Sequence, residues 1–204
     1  MRIRQHINPL RADFLEIALE PLALPAGRPI EVELGSAEAQ FLVERAAEEP
    51  ERCYVGVEIR RELVDQSNRR CQQLGLPQVK SVFANISVDL PRLFSPASVA
   101  RCYVNFPDPW FKQRQRKRRV VNDELIEQLV PLLAPRGEIL VATDIFDIAL
   151  DAMAALEQSG RFANVHAPWC FLRQSRFAAR SRRERHCEEL GIKIWRLAYR
   201  RMRG

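Results

Sequence analysis

Short apolar runs alternate with amphipathic stretches along most of the chain. Seven runs rich in β-branched or aromatic residues have the length of strands: 29–34, 53–59, 79–84, 101–106, 138–143, 162–167 and 192–200. The stretches between several of them carry apolar residues at helical spacing: 41–49, 60–75, 122–135 and 146–160. This alternation predicts an α/β fold in which a mostly parallel seven-stranded sheet carries helices on both faces.

Two segments lack either periodicity. Residues 1–28 are predicted to form an N-terminal arm that precedes a single domain at 29–204. Residues 168–190 are predicted to be irregular, as a second arm or a lid.

Polar residues follow several of the predicted strands. Sheets of this kind bind ligands at the carboxyl ends of their strands, near the switch in strand order. We therefore expect the polar residues at these ends to converge on one edge, and they are Glu33, Glu58, Asn85, Asp108 and Asp144.

The first two strand ends favour a nucleoside ligand. Gly35 permits a sharp turn, but the loop GSAEAQ has one glycine where a dinucleotide fingerprint has three, so diphosphate binding is poorly supported. Glu58 lies 23 residues after Gly35, a spacing that suits ribose hydroxyls as well as a solvated strand end. Together with Glu33, it indicates a cationic nucleoside, and S-adenosylmethionine fits that description.

The stretch NFPDPWFKQRQRKRRVV places an acid and an aromatic beside dense positive charge. Pro107 and Pro109 stiffen the loop around Asp108, either to position a carboxylate against a nucleobase or as a purely structural turn. Trp110 is interpreted as a core residue or as a stacking platform for a base. Six of the eight residues 112–119 are basic, which is typical of a solvated face or of phosphate contacts.

The overall charge favours a large polyanionic partner. The net charge is +6, with a pI near 9.4. A second basic group precedes the last strand, and its members are Arg176, Arg180, Arg182, Arg183 and Arg185. Two such clusters suit a folded RNA better than a mononucleotide.

Other chemistries find little support in the sequence. The five cysteines form no CxxC pair and the three histidines show no ligand spacing, so we predict no metal site. GxSxG, HExxH and P-loop patterns are absent. The N-terminus has no apolar signal core and no run is long enough for a membrane helix, so we predict a cytoplasmic protein without a membrane partner. The pattern leaves monomer and homodimer equally open.

The sequence FPDPWFKQRQRKRRVV resembles the signature of the bacterial tRNA (guanine-N7-)-methyltransferases. VELGSAEAQFLVERAAEEP and YVGVEIR resemble that family's first and second S-adenosylmethionine motifs, and LAPRGEILVATD resembles its fifth-strand segment. SRRERHCEELGIKIWRLAYR is similar to its final segment. The resemblance covers most of residues 29–200. It implies a Rossmann-like class I methyltransferase that methylates N7 of a variable-loop guanine, position 46, in tRNA.

The resemblance also implies roles for individual residues. Asp108 would lie at the junction of cofactor and guanine, as the catalytic residue. The implied cofactor-binding residues are Glu33, Gly35, Glu58, Asn85 and Asp108. The implied substrate-binding residues are Lys112, Asp144, Ser181 and Glu184. The implied RNA-binding residues are Arg114, Arg116, Lys117, Arg118 and Arg119.

The chain departs from the family pattern at several positions. Ala37 or Glu38 stands where a second glycine is common, Asn85 replaces an acid, Ser181 replaces threonine and Arg183 replaces phenylalanine. One alternative is therefore an RNA-binding protein of the same fold with weakened or lost catalysis. Another is a methyltransferase with a different acceptor, which would not need the basic run.

Overall fold

A computed structural model describes residues 7–9, 11–111 and 118–202. The described chain forms a seven-stranded sheet in the order β3-β2-β1-β4-β5-β7-β6. The strands are β1 (Ile30–Leu34), β2 (Cys53–Glu58), β3 (Val79–Phe83), β4 (Val99–Asn105), β5 (Leu133–Thr143), β6 (Phe162–Asn164) and β7 (Trp195–Arg201). The pairs among β1 to β5 are parallel, and β7 is antiparallel to both of its neighbours. The predicted fold class is confirmed.

In the described part of the chain, six α-helices connect the strands and a short 3-10 helix precedes β1. The α-helices are α1 (Gln40–Glu48), α2 (Arg61–Gln73), α3 (Leu90–Leu93), α4 (Asp123–Leu132), α5 (Phe146–Gln158) and α6 (Arg182–Glu189). The 3-10 helix is Ala12–Phe14. Asn122 caps α4 by accepting a hydrogen bond from the Leu125 N–H at 2.9 Å.

The centre of the sheet is buried on both faces. All six residues of β2 are buried, and Val55 and Val57 are fully enclosed. This explains why the parallel strands appear in the sequence as continuous apolar runs rather than as alternating patterns. Strand order reverses between β1 and β4, because β1 leads on to β2 and β3 while β4 leads on to β5. The carboxyl ends of β1 and β4 therefore flank the cleft of the sheet.

The predicted helix at 122–135 is too long at its carboxyl end. Helix α4 ends at Leu132, and β5 begins at Leu133 rather than at residue 138. Val99 pairs with Leu133, whereas Arg101 pairs with Glu138, so residues 134–137 form a bulge. Arg136 has a φ of 65° in this bulge. An irregular bulge has no hydrophobic period, which is why the sequence did not reveal the strand's start.

Residues 168–190 are less irregular than predicted. Helix α6 occupies Arg182–Glu189, and Leu172 forms an isolated antiparallel bridge with Arg196. Ser181 caps α6 by accepting a hydrogen bond from the Glu184 N–H at 3.2 Å. The S-x-x-E spacing is a capping-box signature, so a signal for this helix was present in the sequence.

The segment before β1 packs against the domain. Ile17 is buried, and Leu19, Leu22 and Leu24 contact the main hydrophobic cluster. The boundary at residue 28 stays a prediction.

Candidate cofactor and substrate site

A cavity of about 780 Å³ opens at the carboxyl edge of the sheet. It lies where β1, β2, β3 and β4 end, as predicted from the strand order. Eight of the predicted site residues line it: Glu33, Gly35, Glu58, Asn85, Asp108, Arg118, Arg119 and Ser181. Lys112, Arg114, Arg116 and Lys117 lie outside the described residues.

The loop after β1 is held close to β2. Gly35 has a φ of 77°, and its N–H donates to the Val57 carbonyl at 2.8 Å. Gly56 in β2 makes room for this loop, since a Cβ there would lie 2.3 Å from Ser36 Oγ. Ala37 and Ala39 adopt positive φ angles of 46° and 53°, a conformation that is uncommon for residues other than glycine. The loop thus keeps a tight turn with one glycine of its own.

Among the described residues, Glu33 is a buried acid without a cationic partner. It is 3% exposed at the end of β1, and its Oε1 accepts a hydrogen bond from Asn105 Nδ2 at 2.8 Å. Its Oε2 is buried and has no hydrogen-bond partner among the described residues. Burial raises the pKa of Glu33 from 4.5 to about 8, the bond from Asn105 opposes this, and the charges of Glu58 and Glu184 add to it.

Glu58 contrasts with Glu33 because its carboxylate is fully bonded. Its Oε1 accepts from the Arg60 N–H at 3.0 Å and from Arg60 Nε at 2.8 Å. Its Oε2 accepts from Arg60 Nη2 at 2.8 Å and from the Ala37 N–H at 2.9 Å. Sequence reasoning assigned no role to Arg60, although it lies two residues after Glu58. A ribose would have to replace the Arg60 side chain to reach this carboxylate.

The loop that carries Asp108 is rigid and strained. Phe106 and Trp110 have positive φ angles of 50° and 42° at its two ends. Arg119 holds the loop from below, because its Nε donates to the Pro109 carbonyl at 3.3 Å and its Nη1 pairs with Asp151. Arg118 lies over the Trp110 ring at 5.1 Å from its centroid.

Asp108 lines the cavity near Arg60. The pKa of Arg60 is raised mainly by its hydrogen bond to Glu58, and the negative charge of Asp108 contributes as well. Asp108 and Glu58 therefore lie near the same guanidinium, as expected if both acids face one ligand.

The residues predicted to bind substrate are placed unequally. Ser181 lines the cavity, whereas Asp144 and Glu184 do not. Asp144 is ion-paired with Arg183 at 2.5 Å across the cavity wall. Glu184 is buried and bonded to Arg196 Nη2 at 2.7 Å. Arg119 is also buried, and its guanidinium is engaged with Asp151 rather than presented to solvent.

Asn85 is buried at the end of β3, and its side chain contacts the N-terminal segment. Its Nδ2 donates to the carbonyls of Pro9 and Phe14, each at 2.9 Å. Ile7 and Pro9 line the same cavity. Sequence reasoning did not foresee these contacts because the segment has no periodicity that would fix its path.

The lining of the cavity fits a cationic nucleoside cofactor. Glu33 offers an unsatisfied carboxylate oxygen, and the cavity wall is partly apolar through Ile7, Leu34, Ile86 and Val88. A bound cation would restore the partner that the buried acid lacks.

The chain resembles known methyltransferases over nearly its whole length. A family model described as "Putative methyltransferase" matches residues 27–197. The tRNA (guanine-N(7)-)-methyltransferase of Synechococcus sp. (strain JA-3-3Ab) is 35% identical over 200 residues, which cover 96% of this chain and 84% of the relative. That of Synechocystis sp. (strain ATCC 27184 / PCC 6803 / Kazusa) is 34% identical over 207 residues, which cover 96% and 95%.

The chain belongs to the tRNA (guanine-N(7)-)-methyltransferase family. The predicted family and enzyme class are confirmed. Solved structures agree on the fold of this methyltransferase. TrmN from Thermus thermophilus has a TM-score of 0.60 at 17% identity, covering 86% of this chain and 45% of that one. A SAM dependent methyltransferase from Aquifex aeolicus has a TM-score of 0.59 at 10% identity, covering 85% and 82%.

Within residues 7–9, 11–111 and 118–202, no group of three or more His, Cys, Asp or Glu residues is arranged to hold a metal ion. Across the same ranges, no helix combines the length and apolar character that spanning a membrane requires.

Proposed function

We propose that this methyltransferase transfers a methyl group from S-adenosylmethionine to N7 of the guanine at position 46 in the variable loop of tRNA, in the cytoplasm. The observation that carries the proposal is Glu33, a buried carboxylate with one unsatisfied oxygen at the switch point of the sheet. Membership of the family supplies the reaction class.

Three residues hold the cofactor in this proposal. Glu33 accepts hydrogen bonds from the cationic amino-acid portion of S-adenosylmethionine, because the positive charge of the cofactor compensates the buried carboxylate. Gly35 lets the chain approach the ligand closely. Glu58 accepts hydrogen bonds from the ribose hydroxyls after the Arg60 side chain has moved away. The Arg60 side chain is partly exposed, so it can move into solvent.

Asp108 is the proposed catalytic residue. S-adenosylmethionine supplies a methyl carbon on a cationic sulfur, and methylation of guanine N7 shifts positive charge onto the base without releasing a proton. A carboxylate on the rigid 106–110 loop holds the base edge and stabilises that charge as it develops. Alignment by such fixed groups contributes up to roughly 7–11 kcal/mol in ideal systems.

The basic residues contact the tRNA backbone in this proposal. Arg118 lines the cavity beside Trp110, so it is positioned to meet the phosphates around the target nucleotide. Lys112, Arg114, Arg116 and Lys117 share that proposed role through their place in the sequence. Arg119 serves instead to hold the Asp108 loop, because its side chain is buried against Pro109 and Asp151.

The first test is methyl transfer to tRNA from cells that lack N7-methylguanine, with labelled S-adenosylmethionine and mapping of the product nucleotide. Label at N7 of guanine 46 is expected. Label at another guanine would overturn the proposed position. Binding of tRNA without any label would instead favour the RNA-binding alternative, and titration with S-adenosylmethionine would then show whether cofactor binding is lost.

A further inference from the structure

The N-terminal segment forms one wall of the cavity at its β3 side. Ile7 and Pro9 line the cavity together with Ile86 and Val88, which follow β3. If Glu58 at the end of β2 takes the ribose, the base of the nucleoside lies towards β3 and therefore against this wall. This placement rests on the proposed cofactor.

Side chains that follow β3 hold this wall through backbone carbonyls. Asn85 Nδ2 donates to the carbonyls of Pro9 and Phe14, each at 2.9 Å, so both of its amide hydrogens are used in these two bonds. Asn85 Oδ1 accepts from the Ser87 N–H at 3.0 Å, which fixes the orientation of the amide. Arg92 Nη1 adds a third carbonyl contact, to Ile17 at 3.2 Å.

The anchor is itself buried and rigid. Asn85 is 0% exposed, and its backbone N–H donates to Asp89 Oδ2 at 2.8 Å. Asp89 is also 0% exposed, and its Oδ1 pairs with Arg92 at 2.7 Å. The two side chains that grip the segment are thus joined through one buried carboxylate.

An aspartate at position 85 has no donor for these contacts. Its carboxylate would face two carbonyl oxygens, and each of them would lose its hydrogen bond in a buried site. The amide is therefore required by the N-terminal segment.

We infer that Asn85 is a positioning residue: its amide fixes residues 7–9 and 11–14 as the wall that encloses the base of the bound nucleoside. It acts on cofactor affinity through Ile7 and Pro9. Saturating cofactor compensates for its loss, so the variant raises the KM for S-adenosylmethionine and leaves kcat nearly unchanged.

The first test measures the anchor without any cofactor. Trypsin cleaves after the exposed Arg11, and this cut requires the segment to open. Asn85→Asp should speed release of residues 1–11 by about tenfold or more, because two donated hydrogen bonds are lost. Asn85→Ala repeats the test without an added charge, in case the aspartate variant does not fold.

Asn68→Asp provides the matched control. Asn68 also bonds a backbone carbonyl through Nδ2, that of Ser81 at 2.9 Å, and among the described residues it makes no hydrogen bond to the N-terminal segment. This variant should leave cleavage after Arg11 unchanged. Equal cleavage rates in wild type and both Asn85 variants would overturn the inference.

The second test is a double-mutant cycle on the dissociation constant for S-adenosylmethionine. Ile7→Ala and Asn85→Asp should each weaken binding, by roughly threefold and tenfold, and the double variant should match Asn85→Asp alone. Multiplying effects would show that Asn85 acts independently of the wall, and would overturn the inference. If wild type itself fails to bind S-adenosylmethionine, the proposed function fails, while the trypsin result still decides the anchor.

Discussion

Two buried glutamates lie two residues apart on β1 and point to the same face of the sheet, yet their surroundings are opposite. Glu31 is 0% exposed and accepts hydrogen bonds from Arg101 Nη1 and the Tyr103 hydroxyl, both at 2.6 Å. Arg45 and Arg52 are ion-paired with it as well, at 3.3 and 3.4 Å. Glu33, by contrast, has the amide of Asn105 as its single hydrogen-bond partner in the part of the chain that the structure describes.

The network around Glu31 extends across the amino end of the sheet. Arg45 also pairs with Glu48 and Glu49, and its guanidinium lies 4.1 Å from the centroid of the Phe177 ring. Each charge in this network has its partner within the protein. Burial at Glu31 therefore reflects a structural role, whereas burial of Glu33 without a counter-charge among the described residues supports its proposed contact with the cofactor.

The largest effect is expected from breaking the satisfied acid. Glu31→Gln should lower the free energy of unfolding by about 3–5 kcal/mol, because the buried Arg45 and the partly buried Arg52 and Arg101 lose a shared counter-charge. Urea denaturation at pH 7 measures this. A loss below about 1 kcal/mol would mean that the amino-end network tolerates an amide, and the contrast between the two acids would disappear.

The matched change at the unsatisfied acid should act in the opposite direction on stability. Because the pKa of Glu33 is about 8 in the folded protein and near 4.5 when unfolded, wild-type stability falls between those pH values, by on the order of 4 kcal/mol. Glu33→Gln lacks this penalty, so it should be more stable than wild type at pH 8. Its affinity for S-adenosylmethionine should fall about a hundredfold, since a charge-assisted contact is lost.

Urea denaturation at pH 5 and pH 8, with calorimetric titration of the cofactor, tests both halves of this expectation. A variant that is less stable than wild type at pH 8 would show that the carboxylate is satisfied in the folded protein. Unchanged cofactor affinity would place the cation elsewhere.

A smaller effect concerns pH alone. Below pH 8 Glu33 must lose a proton before it can hold a cation, so the affinity of wild type for S-adenosylmethionine should rise by up to about tenfold per pH unit between pH 6 and 8. Glu33→Gln should show no such rise. Parallel pH profiles for the two proteins would assign the dependence to another group.

The smallest effect is expected at the carboxyl-edge pair of Arg183 and Asp144. Arg183 has a side chain that is 48% exposed, so Arg183→Ala should change the free energy of unfolding by less than about 1 kcal/mol. Arg45→Ala removes a buried cation and should cost several kcal/mol more. Urea denaturation measures both losses. Similar losses in the two variants would contradict the difference between the buried ion pairs at the amino end of the sheet and the exposed pair at its carboxyl edge.

The architecture was largely predictable because buried parallel strands and amphipathic helices have distinct periods. The sequence correctly placed Glu33 and Glu58 at neighbouring strand ends. It could not show that Arg60 and Ala37 bind the carboxylate of Glu58. Those contacts depend on the conformation of the Arg60 side chain and on the path of the 35–37 loop.

The position of a residue in the sequence also did not predict the direction in which its side chain points. Glu184 follows Ser181 by three residues, but α6 directs it to Arg196 beneath the cavity wall while Ser181 stays at the cavity. Asn85 was correctly expected at the cavity edge, yet its bonds to Pro9 and Phe14 span more than 70 residues of sequence. Such contacts follow from packing and carry no local period.

Gly56 has a consequence for anyone who builds variant libraries of this protein. Glycine in the middle of a strand usually weakens it, so β-propensity alone would favour its replacement by alanine. Here the added methyl group would lie 2.3 Å from Ser36 Oγ and displace the loop on the neighbouring strand. The exchange would therefore disturb the cavity through Ser36, which lines it, although Gly56 itself does not.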